Sequence, residues 1–469
     1  MRILKLFFTG AAVLVFATTC IAQCNDTEKR VIEVPEKFQT IKAAINEAKT
    51  NQDYKGKKVT IKVKYGIYEE DGKGVLIDRN CLDLIGIPND KKDKPVIKRK
   101  NFQGHEQAVV KIRQSDVRLE GFDIDAQREC NAFGILVLIA KYDADIDKDL
   151  SNIFIVNNTV RDVGKEDSCE DAHGIVAWSA KPQSINKLWI EKNTLHHLRL
   201  GKSETITIKS NVQDFHVNEN VIFDTDNIGI DVIGFEDDSF QAHDGEIISN
   251  QISDLRKGNS VYPNVAGIYI DGGSDVKITG NTVNGFGLGV QLASERVNAK
   301  VSGITVNGNT FSNNLVAGVG VGHDTTQRGF VENCKISDNT ILNNGIGLEN
   351  GKLIDGGQIR LKSYVLGGLK DISIEHNTIY ITSGQSVKHL IYTENCIWNE
   401  GDGDKCTINP QRLGAAFSRN TFCKLDYTDA WYVRTIDEFD GSDSALISKL
   451  NKYMTFADNN IFSTTCPSK

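Results

Sequence analysis

Asn281-Thr282-Val283, Asn309-Thr310-Phe311, Asn339-Thr340-Ile341 and Asn377-Thr378-Ile379 are copies of one phrase, an asparagine set just before a short strand-like pair. The same asparagine recurs at Asn158, Asn193, Asn220, Asn250, Asn420 and Asn460, ten copies in all, at successive spacings of 35, 27, 30, 31, 28, 30, 38, 43 and 40 residues. A repeat of about 20–50 residues marks a solenoid or array. Around each copy apolar and polar residues alternate, as in Val276-Lys277-Ile278-Thr279 and Ile372-Ser373-Ile374-Glu375. Alternation over a few residues means a strand, and no stretch between the copies holds a helical period. One repeat per turn, built only from short strands, predicts an all-β chain: a single-stranded right-handed parallel β-helix. Stacked coils lie about 4.8 Å apart. An asparagine at the same corner of each coil would hydrogen-bond the corners above and below, where a buried bend would otherwise orphan backbone groups. Asparagine also tolerates a left-handed corner. These asparagines are therefore read as structural.

Length and composition agree with one elongated unit. The chain has 469 residues, 40% hydrophobic, with 41 glycines for tight corners and 7 prolines. Residues 1–22 read as an export signal: Arg2 and Lys5 precede an apolar stretch from Leu6 to Ala17, and Cys20-Ile21-Ala22 offers small residues for cleavage. Lipidation at Cys20 is the alternative. Residues 23–469 are expected to form one β-helix domain, secreted and acting as a monomer, and no later stretch is long and apolar enough to span a bilayer. Loss of residues 1–22 removes two basic residues and no acid, so the net charge moves from −8 to −10. That balance argues against nucleic acid or an anionic membrane as partner. Export permits disulfides. Cys130/Cys169, Cys396/Cys406 and Cys423/Cys466 are candidate pairs among the nine cysteines that follow the signal, and one thiol is left over.

At the start of the domain, Ile41, Ala44, Ile45 and Ala48 fall at helical spacing, which predicts a helix over residues 38–49 that caps the first coil. Val59-Thr60-Ile61-Lys62-Val63 and Tyr65-Gly66-Ile67-Tyr68-Glu69 then begin the coils. Residues 394–410 and 427–444 are polar and are expected as C-terminal loops and insertions (394–444).

A second ladder marks where chemistry would sit. It runs Phe133-Gly134-Ile135-Leu136-Val137, His173-Gly174-Ile175-Val176-Ala177, Ile228-Gly229-Ile230-Asp231-Val232, Ala266-Gly267-Ile268-Tyr269-Ile270-Asp271, Leu288-Gly289-Val290-Gln291-Leu292 and Ala317-Gly318-Val319-Gly320-Val321. Glu204-Thr205-Ile206-Thr207-Ile208-Lys209 fits the same frame with threonine in the glycine place. By the two-residue period, Val176, Trp178, Thr207, Lys209, Asp231, Ile233, Tyr269, Asp271, Gln291 and Ala293 point outward on one face. His173 and Glu204 lie just upstream, and Glu236, Glu295 and His323 just downstream. Aromatics, cations and carboxylates spread over about five coils, roughly 25 Å, suit an extended polysaccharide.

Lys209, Asp231, Asp271 and Glu204 are the candidate catalytic residues. His173, Trp178, Tyr269, Gln291, Glu295 and His323 are the candidate substrate-binding residues. In a lyase a base, Lys209, removes the proton beside a uronate carboxyl, and Ca²⁺ held by Asp231, Glu236 and Asp271 neutralises the developing charge. In a glycoside hydrolase two carboxylates, Asp231 with Asp271 or Glu204 with either, flank the bond. The lyase reading leads; hydrolysis is one alternative and a non-catalytic glycan-binding surface or matrix protein another. Trp189 alternates inward and is read as core.

The helix at Thr40-Ile41…Ala44-Ile45…Ala48 followed by Gly66…Tyr68-Glu69 resembles the opening of the pectate-lyase-like superfamily of β-helix proteins. The ladder segments from Ser203 to Glu236 and from Ala266 to Gly273 resemble secreted right-handed β-helix repeat proteins. The resemblance covers most of residues 30–385 and implies the fold without an activity. Asp224-Thr225-Asp226 and Ala172-His173-Gly174 stand in the wrong order for a polygalacturonase, and the paired Asp-Asp of that family is absent between them. Asp231, Asp271 and Lys209 are a loose match to calcium-dependent pectate lyases. The Tyr-Gly-x-Asp-Pro-His segment of mannuronan epimerases is absent.

Overall fold

The computed structural model describes residues 24–463 apart from 103–106, 140–147, 166–170, 181, 236–238, 258–261, 297–298, 323–328, 350–351, 383–386, 388, 399–405, 409–410, 425–430, 435–437, 440–450, 453 and 458–459. The expected signal, Cys20, Cys169, Glu236, His323 and Cys466 lie outside the described residues. Three parallel sheets of 15, 14 and 13 strands run the length of the molecule, and each coil contributes a strand to each sheet in turn. The chain is a parallel β-helix.

The ten asparagines form one ladder. Each backbone N–H from Asn158 to Asn420 donates to the side-chain oxygen of the next asparagine along the axis, at 2.8–3.0 Å. Each side-chain amide donates to a backbone carbonyl of the preceding coil, as Asn281 Nδ2 does to Ile247 O at 2.8 Å. The left-handed corner falls elsewhere than expected. It belongs to the residue before each ladder asparagine, such as Asn157, Lys192, Glu219, Gly280, Gly308 and His376. The asparagine itself is spent on bridging coils, so its neighbour takes the bend.

Inward residues fill a continuous core, including Ile175, Ile206, Ile230, Ile268, Val290 and Val319 from the second sheet. The glycine that precedes most of these residues is there because coils approach closely. A Cβ on Gly229 would sit 2.5 Å from Gly267 O, and one on Gly289 2.4 Å from Gly318 O.

The α-helix spans Ile41–Thr50 and buries Ile41, Ala44, Ile45 and Ala48 against the first coils. Thr40 caps it by accepting from Ala43 N at 3.1 Å, and buried Glu70 accepts from Ile41 N at 2.8 Å. Winding starts before this helix, because the strand Asn25–Val34 already pairs with Lys57–Lys64. Among the described residues no helix is long and apolar enough to cross a membrane. Part of the expected C-terminal loop region is a hairpin, with Cys406–Ile408 antiparallel to the end of His389–Trp398.

Two other expectations change. Cys24 bonds Cys81, a pairing the spacing did not suggest; Cys130 and Cys423 are also disulfide-bonded, and Cys334 is the free thiol among the described residues. Trp189 is on the outer face, half-buried, stacked between Phe154 at 4.4 Å and His216 at 5.2 Å. The strand turns Leu188 and Ile190 into the core, so Trp189 between them must face out.

Candidate functional site

The second sheet carries the site, and register decides which side chains meet. Val176 pairs with Thr207, Thr207 with Asp231, Asp231 with Tyr269, Tyr269 with Gln291, Gln291 with Gly320 and Gly320 with Arg360. A second row, two residues further along each strand, pairs Trp178 with Lys209, Lys209 with Ile233, and Asp271 with Ala293. These rows form the floor of a cavity of about 770 Å³. It brings together Lys209, Asp231, Asp271, Glu204, His173, Trp178, Tyr269, Gln291 and Glu295, which is every candidate residue that the described structure contains.

The upstream wall is an ion cluster. His173 stacks on Phe133 with centroids 5.2 Å apart and planes at 5°. Its Nε2 lies 3.2 Å from Asp171 Oδ1, and its Nδ1 lies 3.0 Å from Thr207 Oγ1 and 3.3 Å from Glu204 Oε2. The Thr207 hydroxyl donates to Glu204 Oε2 at 3.0 Å, and the Ser203 hydroxyl donates to Asp171 Oδ1 at 2.9 Å. Burial opposes a charge on His173, but hydrogen bonds to Asp171 and Glu204, and their negative charges, outweigh it and push its pKa up to about 9. The hydrogen bond to His173 brings Asp171 down to about 2, against the burial that works the other way. At neutral pH His173 is therefore an imidazolium held between two carboxylates. It supplies positive charge to the wall and has no lone pair with which to accept a proton.

Lys209 Nζ lies 4.6 Å from the Trp178 ring centroid. That contact is an attraction between a positive charge and the ring quadrupole. Asp231 is 2% exposed and Tyr269 5% exposed, side by side on consecutive coils. Asp271 takes the backbone N–H of Glu295 at 2.7 Å, which fixes the downstream wall. With a rise of about 3.3 Å per residue and coils about 4.8 Å apart, the Asp231 and Asp271 Cα atoms are a diagonal of about 8 Å apart.

Several lining residues escaped the sequence reading: Asp171, Lys202, Ser203, Asn227, Arg296 and Arg360. Most sit on the connections into or out of the strands, where no period applies. Asp226 and Asn227 build one such connection, Asp226 accepting from Leu200 N at 2.8 Å and Asn227 Nδ2 donating to Gly201 O at 2.9 Å. The cations His173, Lys202, Lys209, Arg296 and Arg360 face the acids Asp171, Glu204, Asp231, Asp271 and Glu295. The cavity is polar, densely charged and of mixed sign.

A metal site finds only part of its ligands here. Among the described residues the one group of three potential ligand atoms within 4.8 Å of each other is Cys24, Cys81 and Asp116, whose sulfurs are bonded to each other. A Ca²⁺ on Asp231 and Asp271 would draw its third carboxylate, Glu236, from outside the described residues.

Comparison with known proteins identifies the architecture. Residues 239–422 match the family model described as a right handed beta helix region. The A-module of mannuronan C-5 epimerase AlgE4 from Azotobacter vinelandii superposes with a TM-score of 0.54 at 14% identity, over 90% of each chain. A tailspike protein of E. coli bacteriophage HK620, in complex with a pentasaccharide, superposes at 0.53 and 14% identity, over 90% of this chain and 62% of that one. The uncharacterized protein YwoF of Bacillus subtilis (strain 168) is 29% identical over 310 residues, 64% of this chain. The match spans about 61% of YwoF's own length. By fold the protein is a right-handed parallel β-helix protein.

Proposed function

We propose that the protein is a secreted carbohydrate-active enzyme that binds a uronate-bearing polysaccharide in this cavity and cleaves it by β-elimination. The observation that carries the reading is the placement of Asp231 and Tyr269 in register on consecutive coils, in a cavity that Lys209 and Arg360 also line. Elimination needs a base for the proton beside the carboxyl, a cation for the carboxylate and an acid for the leaving oxygen. Asp231 takes the C5 proton, the C–H electrons form the C4–C5 double bond, the C4–O4 bond breaks, and the Tyr269 phenol protonates O4. Solvent then returns the proton from Asp231 to Tyr269. Lys209, held as a cation over Trp178, suits the carboxylate better than the base role that its position in sequence suggests. Arg360 offers a planar fork for a second carboxylate.

The solved epimerase module acts, by its name, at C-5 of mannuronan. Epimerisation and elimination both begin with loss of the proton at that carbon. The Cys24–Cys81 disulfide supports an oxidising, exported location. A second reading, hydrolysis, rests on the pair of carboxylates. Asp231 and Asp271 both line the cavity, and two carboxylates flanking a glycosidic bond are what a hydrolase needs.

A panel of uronate and neutral polymers separates the readings. Elimination gives an ultraviolet-absorbing unsaturated end, lost in Asp231→Asn and Tyr269→Phe. New reducing ends without that absorbance would establish hydrolysis. Glycan binding with neither signal would establish a binding protein. Activity that survives exhaustive chelation would exclude Ca²⁺ on Asp231, Asp271 and Glu236.

A further inference from the structure

On a β-helix whose groove runs along its axis, the outward row should keep one character from coil to coil. Here the row changes character at both ends of the cavity. On the side toward the N-terminus, Leu136 pairs with Val176 and Leu138 with Trp178. Leu136 and Leu138 are each 1% exposed, packed in an apolar cluster with Ala108 and Val176 against Phe133 and Trp178. On the other side, Arg360 pairs with Tyr392, which is 1% exposed. Glu394 accepts hydrogen bonds from the Tyr364 and Tyr392 hydroxyls and lies 3.2 Å from Lys362 Nζ. Leu136, Leu138, Tyr392 and Glu394 do not line the cavity.

The remaining two sides are also walled. The Asp171–Gly201 bridge, Ser203 and the His173 cluster close the upstream side. The Asp271–Glu295 hydrogen bond and Arg296 form the downstream side. Between these two ends the floor from Val176 to Arg360 is six coil steps, about 29 Å. A polymer threaded along the axis would leave the charged floor for the apolar Leu136–Leu138 row at one end and meet the self-paired Tyr364–Tyr392–Glu394–Lys362 cluster at the other.

We infer that the cavity takes the end of a glycan chain, or a short oligosaccharide, and excludes the interior of a polymer. This rests on the reading that the site binds an anionic glycan. Since the charged floor lies only between these ends, affinity for an oligosaccharide series rises with length until the cavity is filled and then stops rising. Chain cleavage, where it occurs, proceeds from an end.

Two measurements test this on the full-length protein. In the first, a uronate polymer that the protein cleaves is sampled through the digest for fragment size and viscosity. One small product size from the earliest time point, with viscosity falling in step with bond cleavage, is the expected result. A ladder of intermediate sizes with an early collapse of viscosity would overturn the inference and leave the proposed chemistry standing. In the second, the same polymer is sheared into shorter chains and binding sites are counted per unit mass, using Asp231→Asn to stop turnover. Sites should rise in proportion to the number of chain ends. A constant number of sites per mass would overturn the inference, and no binding of any uronate polymer would overturn it together with the proposed function.

Discussion

Replacing Asn281 by alanine tests the ladder on which the coil stack depends. The Asn281 side chain donates to Ile247 O at 2.8 Å and to Asn309 Oδ1 at 2.9 Å. Its oxygen accepts from Asn250 N at 2.8 Å and from Asn250 Nδ2 at 2.9 Å. In Asn281→Ala the Asn309 oxygen keeps the Asn281 backbone N–H, which already donates to it at 2.8 Å. The Ile247 carbonyl and the Asn250 N–H lose the partner that the side chain gave them, in a corner where Asn250 and Asn281 are 0% and 1% exposed. A buried backbone group left unmade costs about 1–3 kcal/mol, so two cost about 2–6 kcal/mol. The neighbouring Thr282 is exposed, and Thr282→Ala should stay within about 0.5 kcal/mol of wild type. Urea unfolding of the two variants gives the comparison. Hydrogen exchange gives the site-specific one: the Asn250 amide should exchange at least about tenfold faster in Asn281→Ala, since about 1.4 kcal/mol is a factor of ten. Equal midpoints for the two variants, together with unchanged Asn250 exchange, would refute the claim that these side chains hold the corners.

His173 gives a pH prediction with a definite sign. Its folded pKa of about 9 lies above the ordinary value of 6.5, so its contribution is full below pH 6.5 and is lost as pH rises through about 9. That difference corresponds to about 3 kcal/mol at most. Denaturation from pH 6 to 10 should show wild type losing stability across the window and His173→Asn much less of it; parallel profiles would show that the imidazolium cluster contributes nothing. Asp171, near 2, keeps its contribution above pH 4 and loses it as pH falls through 2, a smaller effect because its side chain is 68% exposed. Burial pushes the Cys334 thiol up to about 12, so at pH 8 iodoacetamide should label it only after unfolding; rapid labelling of the native protein, read by mass spectrometry, would contradict its buried position. Lys209→Met should change Trp178 fluorescence and raise the KM for an anionic glycan by roughly tenfold while a neutral one is unaffected, if the ammonium meets a carboxylate worth about 1–1.5 kcal/mol.

The two-residue period was enough to collect the core of the site from sequence. Once Ile230 and Val232 face inward, Asp231 must face outward, and the glycine frame then aligns it with Thr207 and Tyr269. Asp171 was within reach by the same rule, because two residues along an extended chain point to the same side and His173 was already placed. Arg360 was hidden by a substitution in the frame. Gln358 stands opposite Gly318 where a glycine was sought, since its side chain extends the buried Asn314–Asn344 ladder, accepting from Asn344 Nδ2 at 3.0 Å. Gly320 adds a second gap, a row position without a side chain between Gln291 and Arg360.

A deeper difference concerns what lies above the floor. Alternation assigns a side chain to one face of a sheet and says nothing about what covers that face. Residues that point outward can still be covered: Thr207, Asp231 and Gln291 are 1%, 2% and 7% exposed. The covering groups come from the strand connections, whose lengths vary from coil to coil and whose residues follow no period. A buried carboxylate must find donors or a cation, or lose its charge. The Glu295 N–H on a connection serves Asp271, and the Thr207 hydroxyl with the His173 imidazolium serves Glu204. The regular part of the repeat thus determines which residues can meet, and its irregular part determines that they meet in a walled cavity instead of along an open groove.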